Sequence, residues 1–316
     1  MENIIKVMSL FGINKKISKI EHIGTGHINL TFKITYDSNE SYILQRINAG
    51  VFSAPEKIMH NIYLICGFLP NTLRFLTCSE NYYAKLNNFV WRAYQYVENS
   101  ICYDILPDIK HIYGFGRSVG EFHLFSSKAD PSKFYETIPG FHDTSARLKK
   151  ALSVKNSRFD DLHMFFEKAL YYAGAAAIKS GDLIVAHSDV KCSNLLFDKI
   201  SNEPLMLIDL DTVMPGYAMN DFGDGARSAC ITNGKADIDK YEAYRSGYFS
   251  EYKNLSKEQC FLGTVCMASE LAARYYCDFA ENGNYFSDKT PEQKLSRCRE
   301  LASLAVSFTE LESRLI

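Results

Sequence analysis

The sequence predicts an α+β protein with two lobes, a small N-terminal lobe rich in antiparallel strands and a larger, mainly helical C-terminal lobe. Short segments of β-branched and aromatic residues, broken by Gly, Asn and Asp, fill much of the chain between residues 22 and 97. After about residue 99, longer stretches have helical spacing, with one strand-rich insertion at 183–211. A β-rich front and a helical back of this kind outline two lobes that meet at a cleft.

The N-terminal lobe is predicted to contain an antiparallel sheet and one helix. Residues 22–37, 41–48 and 81–98 have the composition of strands separated by turns. Between the second and third of these segments, Pro55 marks a helix start and the following apolar residues, Ile58, Ile62 and Ile65, have helical spacing. We therefore expect strands and one helix in residues 1–98.

The C-terminal lobe is predicted to span residues 99–316. Its helical stretches are 112–125, 160–181 and 259–283. The strand-rich insertion between the second and third of them reads as a hairpin inside the helical lobe. The boundary near residues 97–103 is a change of pattern and carries no functional meaning by itself.

Composition excludes several classes of function. The 316 residues include 35 Lys or Arg and 37 Asp or Glu, so the formal charge of -2 gives no reason to expect nucleic acid or an anionic membrane as a partner. We find neither a signal-peptide pattern at the start nor an uncharged apolar run of the roughly 18 residues that a membrane span needs. Nine scattered cysteines without a CxxC pair suit reduced thiols rather than zinc, so a cytoplasmic protein is expected.

The segment from His187 to Asn194 carries the strongest chemical signal. It lies between two apolar strands and matches the pattern H-x-D-x-x-x-x-N. In that pattern Asp189 takes or orients the proton of an acceptor hydroxyl, and Asn194 holds a magnesium ion that bridges phosphate oxygens. The pattern indicates phosphoryl transfer, although alone it arises often by chance.

A second metal ligand is expected where the next strand ends. Asp209 follows the strand after the turn at 199–204, and a carboxylate there suits Mg²⁺, which prefers oxygen ligands. Asp211 lies two residues on and could assist or stay solvated. The alternative is that both are ordinary acids in a turn at the end of the strand.

The tripeptide Asp221–Gly223 spells DFG, which is the metal motif of protein kinases. It lies too far beyond Asp189 and leads into a helical stretch, so we do not assign it to the metal. Asp221 at a helix start is expected to cap amides or to brace the catalytic loop from behind. Together with His187, it is assigned to structural support of that loop.

The N-terminal lobe offers candidate phosphate contacts at Gly24, Thr25 and Gly26. Two glycines at a strand turn allow backbone amides to approach phosphates, although an ordinary hairpin turn has the same pattern. A cation on the next strand should meet the phosphates, and Arg46 is the candidate, with Gln45 and Lys33 as alternatives.

Two further assignments complete the predicted nucleotide site. Glu56, near the start of the following helix, could hold the phosphate-binding cation or could be an acid favoured by the helix dipole. Adenine would be read by backbone groups of the extended segment at the end of the lobe, which we estimate as Gln95, Tyr96 and Val97.

Through these motifs the chain resembles the aminoglycoside phosphotransferase and choline kinase superfamily, and within it the N-acetylhexosamine 1-kinases. The resemblance rests on IGTGHINLTF, YILQRINAGVFSAPEKIMHNI, IPGFHDT, HSDVKCSNLLFD, LIDLDTVMPG, DFGDGARS and RYYCDFAENGNYF. It implies a protein-kinase-like two-lobed fold and the use of ATP and Mg²⁺. By this resemblance Asp189 is the catalytic base, and Asn194 and Asp209 are the metal ligands.

The same resemblance implies that the sugar pocket is lined by His27, Asp189, Asp209, Arg274 and Tyr285. These side chains can hydrogen-bond several hydroxyls and pack on a sugar ring. Ordinary alternatives remain: His27 could be a solvated turn residue, Arg274 could pair with Glu270 one helical turn away, and Tyr285 is one of 20 tyrosines. In the loop, Ser188 replaces the glycine that is frequent in the family, a change expected to be harmless.

The leading hypothesis is a kinase that transfers the γ-phosphate of ATP to the anomeric hydroxyl of an N-acetylhexosamine or a related sugar. A kinase for choline, ethanolamine or an aminoglycoside is the alternative, but a cationic acceptor should require an acidic or aromatic cleft, whereas Arg274 is a candidate here. A catalytically inactive kinase fold that only binds small molecules is a third possibility, which the intact acid and amide positions disfavour.

Overall fold

The computed structural model describes residues 2–23, 29–50, 52, 54–154, 159–283 and 285–316. Its N-terminal part is a five-stranded antiparallel sheet, and its C-terminal part is mainly helical. The predicted α+β architecture of two unequal lobes is therefore confirmed.

The sheet of the N-terminal lobe has the strand order β1-β2-β3-β5-β4. The strands are β1 (Ile17–His22), β2 (Leu30–Tyr36), β3 (Ser41–Arg46), β4 (Ala84–Leu86) and β5 (Phe89–Gln95). Because side chains alternate across a strand, one face carries the apolar residues of β2, β3 and β5, such as Ile34, Leu44 and Trp91. The helix α1 (Glu2–Leu10) covers this face with Val7 and Met8.

The second helix, α2 (Pro55–Cys66), joins the two lobes. Its residues Ile58, Ile62 and Ile65 are buried in the same hydrophobic cluster as residues of the C-terminal lobe, including Phe115. The fully buried Asn61 donates hydrogen bonds from Nδ2 to the carbonyl oxygens of Tyr135 (2.7 Å) and Val213 (2.8 Å). In packing, α2 therefore belongs to both lobes.

The C-terminal lobe contains short strands, some of which frame the predicted catalytic loop. They are β6 (Ser100–Ile101), β7 (Ile184–Ala186), β8 (Leu195–Asp198), β9 (Pro204–Leu207), β10 (Met214–Gly216), β11 (Ile231–Thr232) and β12 (Lys235–Ala236). Strand β8 pairs with β6 and β9, whereas β7 pairs with β10. The boundary predicted at 98/99 stays a prediction, but β6, just beyond it, is hydrogen-bonded to the C-terminal lobe.

Helices make up most of the C-terminal lobe. They are α3 (Ile109–Ser126), α4 (Thr144–Ser153), α5 (Asp160–Lys179), α6 (Ala218–Ala229), α7 (Ile238–Glu251), α8 (Lys257–Ala280), α9 (Pro291–Thr309) and α10 (Glu312–Leu315). Ser256 caps α8 and Thr290 caps α9, each in a reciprocal bond with the glutamine three residues on. No helix within the described ranges is long and apolar enough to cross a bilayer.

Helices α6 and α8 approach closely through glycines. A Cβ placed on Gly223 would lie 2.2 Å from the carbonyl carbon and oxygen of Gly263, which no side chain tolerates. Gly223 is the last residue of the DFG tripeptide, and its lack of a side chain serves helix packing. The contact fixes α6, and with it Asp221 in the first turn of α6, against the core.

Candidate active site

The predicted catalytic loop lies between β7 and β8, and it ends in a short 3-10 helix at Cys192–Asn194. Asn194 Nδ2 donates to the backbone carbonyl of Asp189 (2.8 Å) and to its Oδ2 (3.1 Å). Lys191 Nζ donates to the same Oδ2 at 2.8 Å. Burial opposes ionisation of Asp189, but the charge and hydrogen bond of Lys191, together with the charges of His187 and Arg227, hold the pKa of the carboxyl below its usual value.

Asp221 braces this loop from behind. Its Oδ2 accepts the amide of His187 at 2.7 Å, and its Oδ1 accepts the amide of Ser188 at 2.8 Å. His123 of α3 contacts Oδ2 at 2.9 Å and is held in turn by the hydroxyl of Tyr248 at 2.7 Å. Burial raises the pKa of Asp221, but these contacts bring it below the usual value. The contacts are those that a bracing role requires, and the importance of Asp221 for activity stays a prediction.

The ring of His187 is held by hydrogen bonds to backbone groups. Its Nε2 donates to the carbonyl of Ile208 (3.0 Å), and its Nδ1 accepts the amide of Asp189 (3.3 Å). Its own carbonyl accepts the hydroxyl of Thr212 at 2.9 Å. His187 therefore ties the catalytic loop to the segment that follows β9, in line with the supporting role assigned to it.

Asp209 lies in that segment, in a left-handed backbone conformation with φ 64°. Burial first, and then the charges of Asp211 and Asp189, raise its pKa to about 7. A buried carboxylate beside two others is a site that a cation would stabilise. Asn194 uses its Nδ2 on Asp189, so its Oδ1 is the amide atom that would bind a cation.

The carboxylate of Asp209 and the amide oxygen of Asn194 fit Mg²⁺ bound together with substrate phosphates. Among the residues that the structure describes, no three His, Cys, Asp or Glu side chains are grouped to hold a metal by themselves. Mg²⁺ is usually held by one or two protein oxygens plus phosphates and water, so Asp209 and Asn194 suffice for such a site.

Asp211 is buried and joins the two lobes. Its carboxylate forms a salt bridge with Arg92 of β5, and both side chains are only 4% exposed. Its Oδ2 accepts Asn29 Nδ2 from the start of β2 at 2.7 Å. Arg92 is positioned by Gln45, whose Oε1 accepts Arg92 Nε at 2.8 Å.

The placement of Arg46 does not favour its prediction as the phosphate-binding cation. Arg46 shares a strand face with Leu44, which is the face that α1 covers, and its guanidinium lies over Phe89, 4.4 Å from the ring centroid. The alternatives Gln45 and Lys33 lie on the opposite face, where Lys33 Nζ is 3.6 Å from the ring centroid of Tyr96. The buried cation at the cleft is Arg92, which the sequence reasoning did not consider.

Glu56 does not form the contact with a buried cation that one of its two interpretations requires. It pairs with Lys85 at 2.7 Å on the surface, and this contact holds its pKa below the usual value. It does not hold the buried cation. In the predicted hinge, Tyr96 donates its amide to Ser41, and the carbonyl of Val97 accepts the hydroxyl of Ser100 at 2.6 Å. Gln95 is the last residue of β5, and the adenine contacts of this segment stay a prediction.

The predicted sugar-binding residues Arg274 and Tyr285 are in contact. The guanidinium of Arg274 donates to the Tyr285 hydroxyl and lies 4.8 Å from the ring centroid of Phe141. The alternative partner of Arg274, Glu270 one helical turn away, is also near, since Glu270 Oε1 lies 4.0 Å from Arg274 Nη1. Tyr285 is 58% exposed, so its ring is accessible.

Four predicted site residues, Gly24, Thr25, Gly26 and His27, lie outside the described residues. Three residues that sequence reasoning missed are Lys191, Arg92 and His142. Lys191 had a local signal, since it stands two residues after Asp189 and on the same loop. Arg92 and His142 meet their partners only through the tertiary fold.

Comparison with known proteins identifies the class. The model of the phosphotransferase enzyme family matches residues 19–255, which is most of the chain. The chain therefore belongs to the phosphotransferase enzyme family.

Similar solved structures show the same fold at low identity. A spectinomycin phosphotransferase in complex with ADP and spectinomycin is 13% identical, with a TM-score of 0.64 and 98% of both chains covered. A putative aminoglycoside phosphotransferase from Ralstonia eutropha is 13% identical, with a TM-score of 0.67 and 98% and 97% covered. A choline kinase from Streptococcus pneumoniae is 14% identical, with a TM-score of 0.59 and 96% and 99% covered.

Proposed function

We propose that this phosphotransferase is an ATP- and magnesium-dependent small-molecule kinase whose acceptor is the anomeric hydroxyl of an N-acetylhexosamine or a related sugar. The observation that carries the proposal is the arrangement around Asp189, an ionised carboxylate oriented by Asn194 and Lys191. Family membership supports phosphoryl transfer, and the ADP bound to the similar spectinomycin phosphotransferase supports a nucleotide donor.

Each residue of the arrangement has a distinct task. Lys191 and Asn194 both contact Oδ2 of Asp189, which leaves Oδ1 to receive the acceptor hydroxyl and its proton. Asp209 and Asn194 Oδ1 would hold Mg²⁺, which supplies neutralisation of the charge on the transferring phosphate. Lys191 adds a positive charge beside Asp189.

The acceptor class is inferred from Arg274 and its surroundings. The guanidinium of Arg274 lies 4.8 Å from the ring centroid of Phe141 and 5.0 Å from that of Tyr285, and it carries several N–H donors. A fixed cation repels choline and aminoglycosides, which are themselves cationic, whereas it hydrogen-bonds well to neutral hydroxyl or acetamido oxygens. The exposed ring of Tyr285 adds a surface on which a sugar can pack.

The test is a panel of N-acetylhexosamines, other sugars, choline, ethanolamine and aminoglycosides, each assayed with ATP and Mg²⁺. We expect turnover with a sugar and a product whose phosphorus NMR spectrum places the phosphate on the anomeric carbon. Asp189→Asn is the matched inactive control, because loss of the base lowers kcat by about 10² to 10⁴ while ATP binding is retained. Turnover limited to choline or to aminoglycosides would refute the sugar assignment, and ATP binding without any turnover would indicate a binding module.

A further inference from the structure

His142 belongs to the segment IPGFHDT at residues 138–144, and the proposed function does not use its imidazole. Its ring, 15% exposed, lies between two acceptors. Nε2 is 2.9 Å from the carbonyl oxygen of Ser188, and Nδ1 is 2.9 Å from Glu270 Oε1. Since both ring nitrogens face acceptors, both must carry protons, and the ring is an imidazolium ion.

Glu270 stabilises this charge. The carboxylate is 1% exposed, and its other oxygen accepts the hydroxyl of Thr144 at 2.7 Å. Burial alone would lower the pKa of His142, but Glu270 raises it to about 9. The same carboxylate lies 4.0 Å from Arg274, so the contacts run from the predicted acceptor pocket to the catalytic loop.

The contact of His142 with the carbonyl of Ser188 stabilises the backbone conformation of Ser188. Ser188 has a φ of 64°, a left-handed conformation that costs a residue with a side chain about 1 to 2 kcal/mol. Such conformations persist where the surroundings hold them. Here Asp221 holds the amide of Ser188 and His142 holds its carbonyl, directly before the amide of Asp189.

We propose that His142 is a positioning residue: it clamps the carbonyl of Ser188 and so orients Asp189, while Glu270 couples the clamp to Arg274 of the acceptor pocket. This inference rests on the proposed function. The plain alternative is a buried ion pair that contributes stability alone. The positioning role predicts that kcat falls when the contact of His142 with Ser188 is removed, whereas a purely stabilising ion pair predicts no change in kcat.

The first test is His142→Gln, which keeps one N–H donor and loses the charge and the bridge. We expect kcat to fall about tenfold or more, the size of a lost charge-assisted hydrogen bond, while the Kd of ATP stays unchanged. His163→Gln is the control, since His163 is a partly buried histidine that contacts the carbonyl of Val154 (3.0 Å) and the hydroxyl of Tyr276 (3.1 Å), away from the loop. A loss of stability in both variants with unchanged kcat would overturn the proposal.

The second test uses the strain at Ser188. Glycine adopts the left-handed conformation without the clamp, so in a Ser188→Gly background the same His142→Gln change should lower kcat less than in the wild type. An equal loss in both backgrounds would show that His142 does not act through Ser188. If His142→Gln does not fold, Thr144→Val weakens the clamp through Glu270 and should lower kcat in the same direction by less.

The third test does not depend on the acceptor. Hydrogen exchange of the amides of Ser188 and Asp189 should speed up in His142→Gln and stay unchanged in His163→Gln. If no panel compound is phosphorylated, the proposed function fails, while this exchange measurement still decides on the clamp. Unchanged exchange at both amides would overturn the role of His142.

Discussion

Ser188 has a backbone conformation that its residue type disfavours, although the substitution of glycine by serine was expected to be harmless. Its φ of 64° lies in the left-handed region, and the residue is buried beside Asp189, the proposed catalytic base. The neighbouring contacts hold it there, so the cost appears as lost stability and not as a different loop structure.

At the scale of this residue, Ser188→Gly is predicted to stabilise the protein. Relief of the left-handed conformation, about 1 to 2 kcal/mol, exceeds the added backbone entropy of the unfolded chain, about 0.5 to 1 kcal/mol. Urea unfolding should therefore show a rise of up to about 1 kcal/mol in the free energy of unfolding. Ser118→Gly, inside helix α3, is the control and should lower stability; a loss of stability in both variants would contradict the strain at Ser188.

At the scale of elements, helix α6 is placed by its contact with α8. Gly223→Ala is predicted to destabilise the protein by about 1 to 3 kcal/mol, because the added methyl group would overlap the backbone of Gly263. It should also lower kcat, since α6 carries Asp221 and Asp221 holds the catalytic loop.

Gly174 in α5 gives a matched control for this change. A Cβ at Gly174 would meet no atom within 4 Å, and the position is exposed inside a helix. Gly174→Ala should therefore raise the unfolding free energy by about 0.5 to 1 kcal/mol. If thermal unfolding shifts both variants in the same direction, the helix contact is not what constrains Gly223.

The elements also show where sequence reasoning succeeds. Periodicity locates α2, α3 and α5, because each presents an apolar stripe that the spacing reveals. The helix α8 is buried on nearly all sides, and its long, mostly apolar sequence indicates it. Periodicity does not identify α1, a nine-residue helix too short to be stable alone, which is held by the packing of Val7 and Met8 on the sheet. The helix α1 covers the sheet face that carries Arg46, whereas Arg92 lies on the other face. Because Arg46 was chosen only as a cation on the next strand, the choice took no account of the two faces.

The candidate site divides in the same way. The contacts among Asp189, Lys191 and Asn194 are local, so their spacing in the sequence predicts their meeting. Arg92 and Asp211 are far apart along the chain, as are His142 and Glu270. Such pairs follow only from the tertiary fold, because no periodicity links them.

At the scale of the whole molecule, the salt bridge between Arg92 and Asp211 joins the sheet of the N-terminal lobe to the segment that carries the candidate metal ligand Asp209. Removing either partner leaves a buried charge unpaired, so Arg92→Met and Asp211→Asn should each cost about 3 to 5 kcal/mol of stability. Because Asp211 also holds Asn29, which follows the predicted phosphate-binding turn, the Kd of ATP should rise in both variants.

A double-mutant cycle and a control separate this effect from general destabilisation. The double variant should lose less stability than the sum of the two single variants, since neither charge remains. Arg245→Met removes another buried arginine, in α7, whose Nη1 donates to the carbonyl of Leu315 at 2.6 Å. It should lower stability without changing the Kd of ATP measured by calorimetry; an unchanged Kd in Arg92→Met would refute the coupling.

The position of α2 has a thermodynamic consequence. Its apolar residues share one continuous hydrophobic cluster with the C-terminal lobe, and Asn61 is hydrogen-bonded to backbone there. Melting one lobe would therefore expose apolar surface of the other. Calorimetry should record a single cooperative heat-absorption peak for the intact chain, and residues 1–98 expressed alone should expose α2 to water and fail to fold.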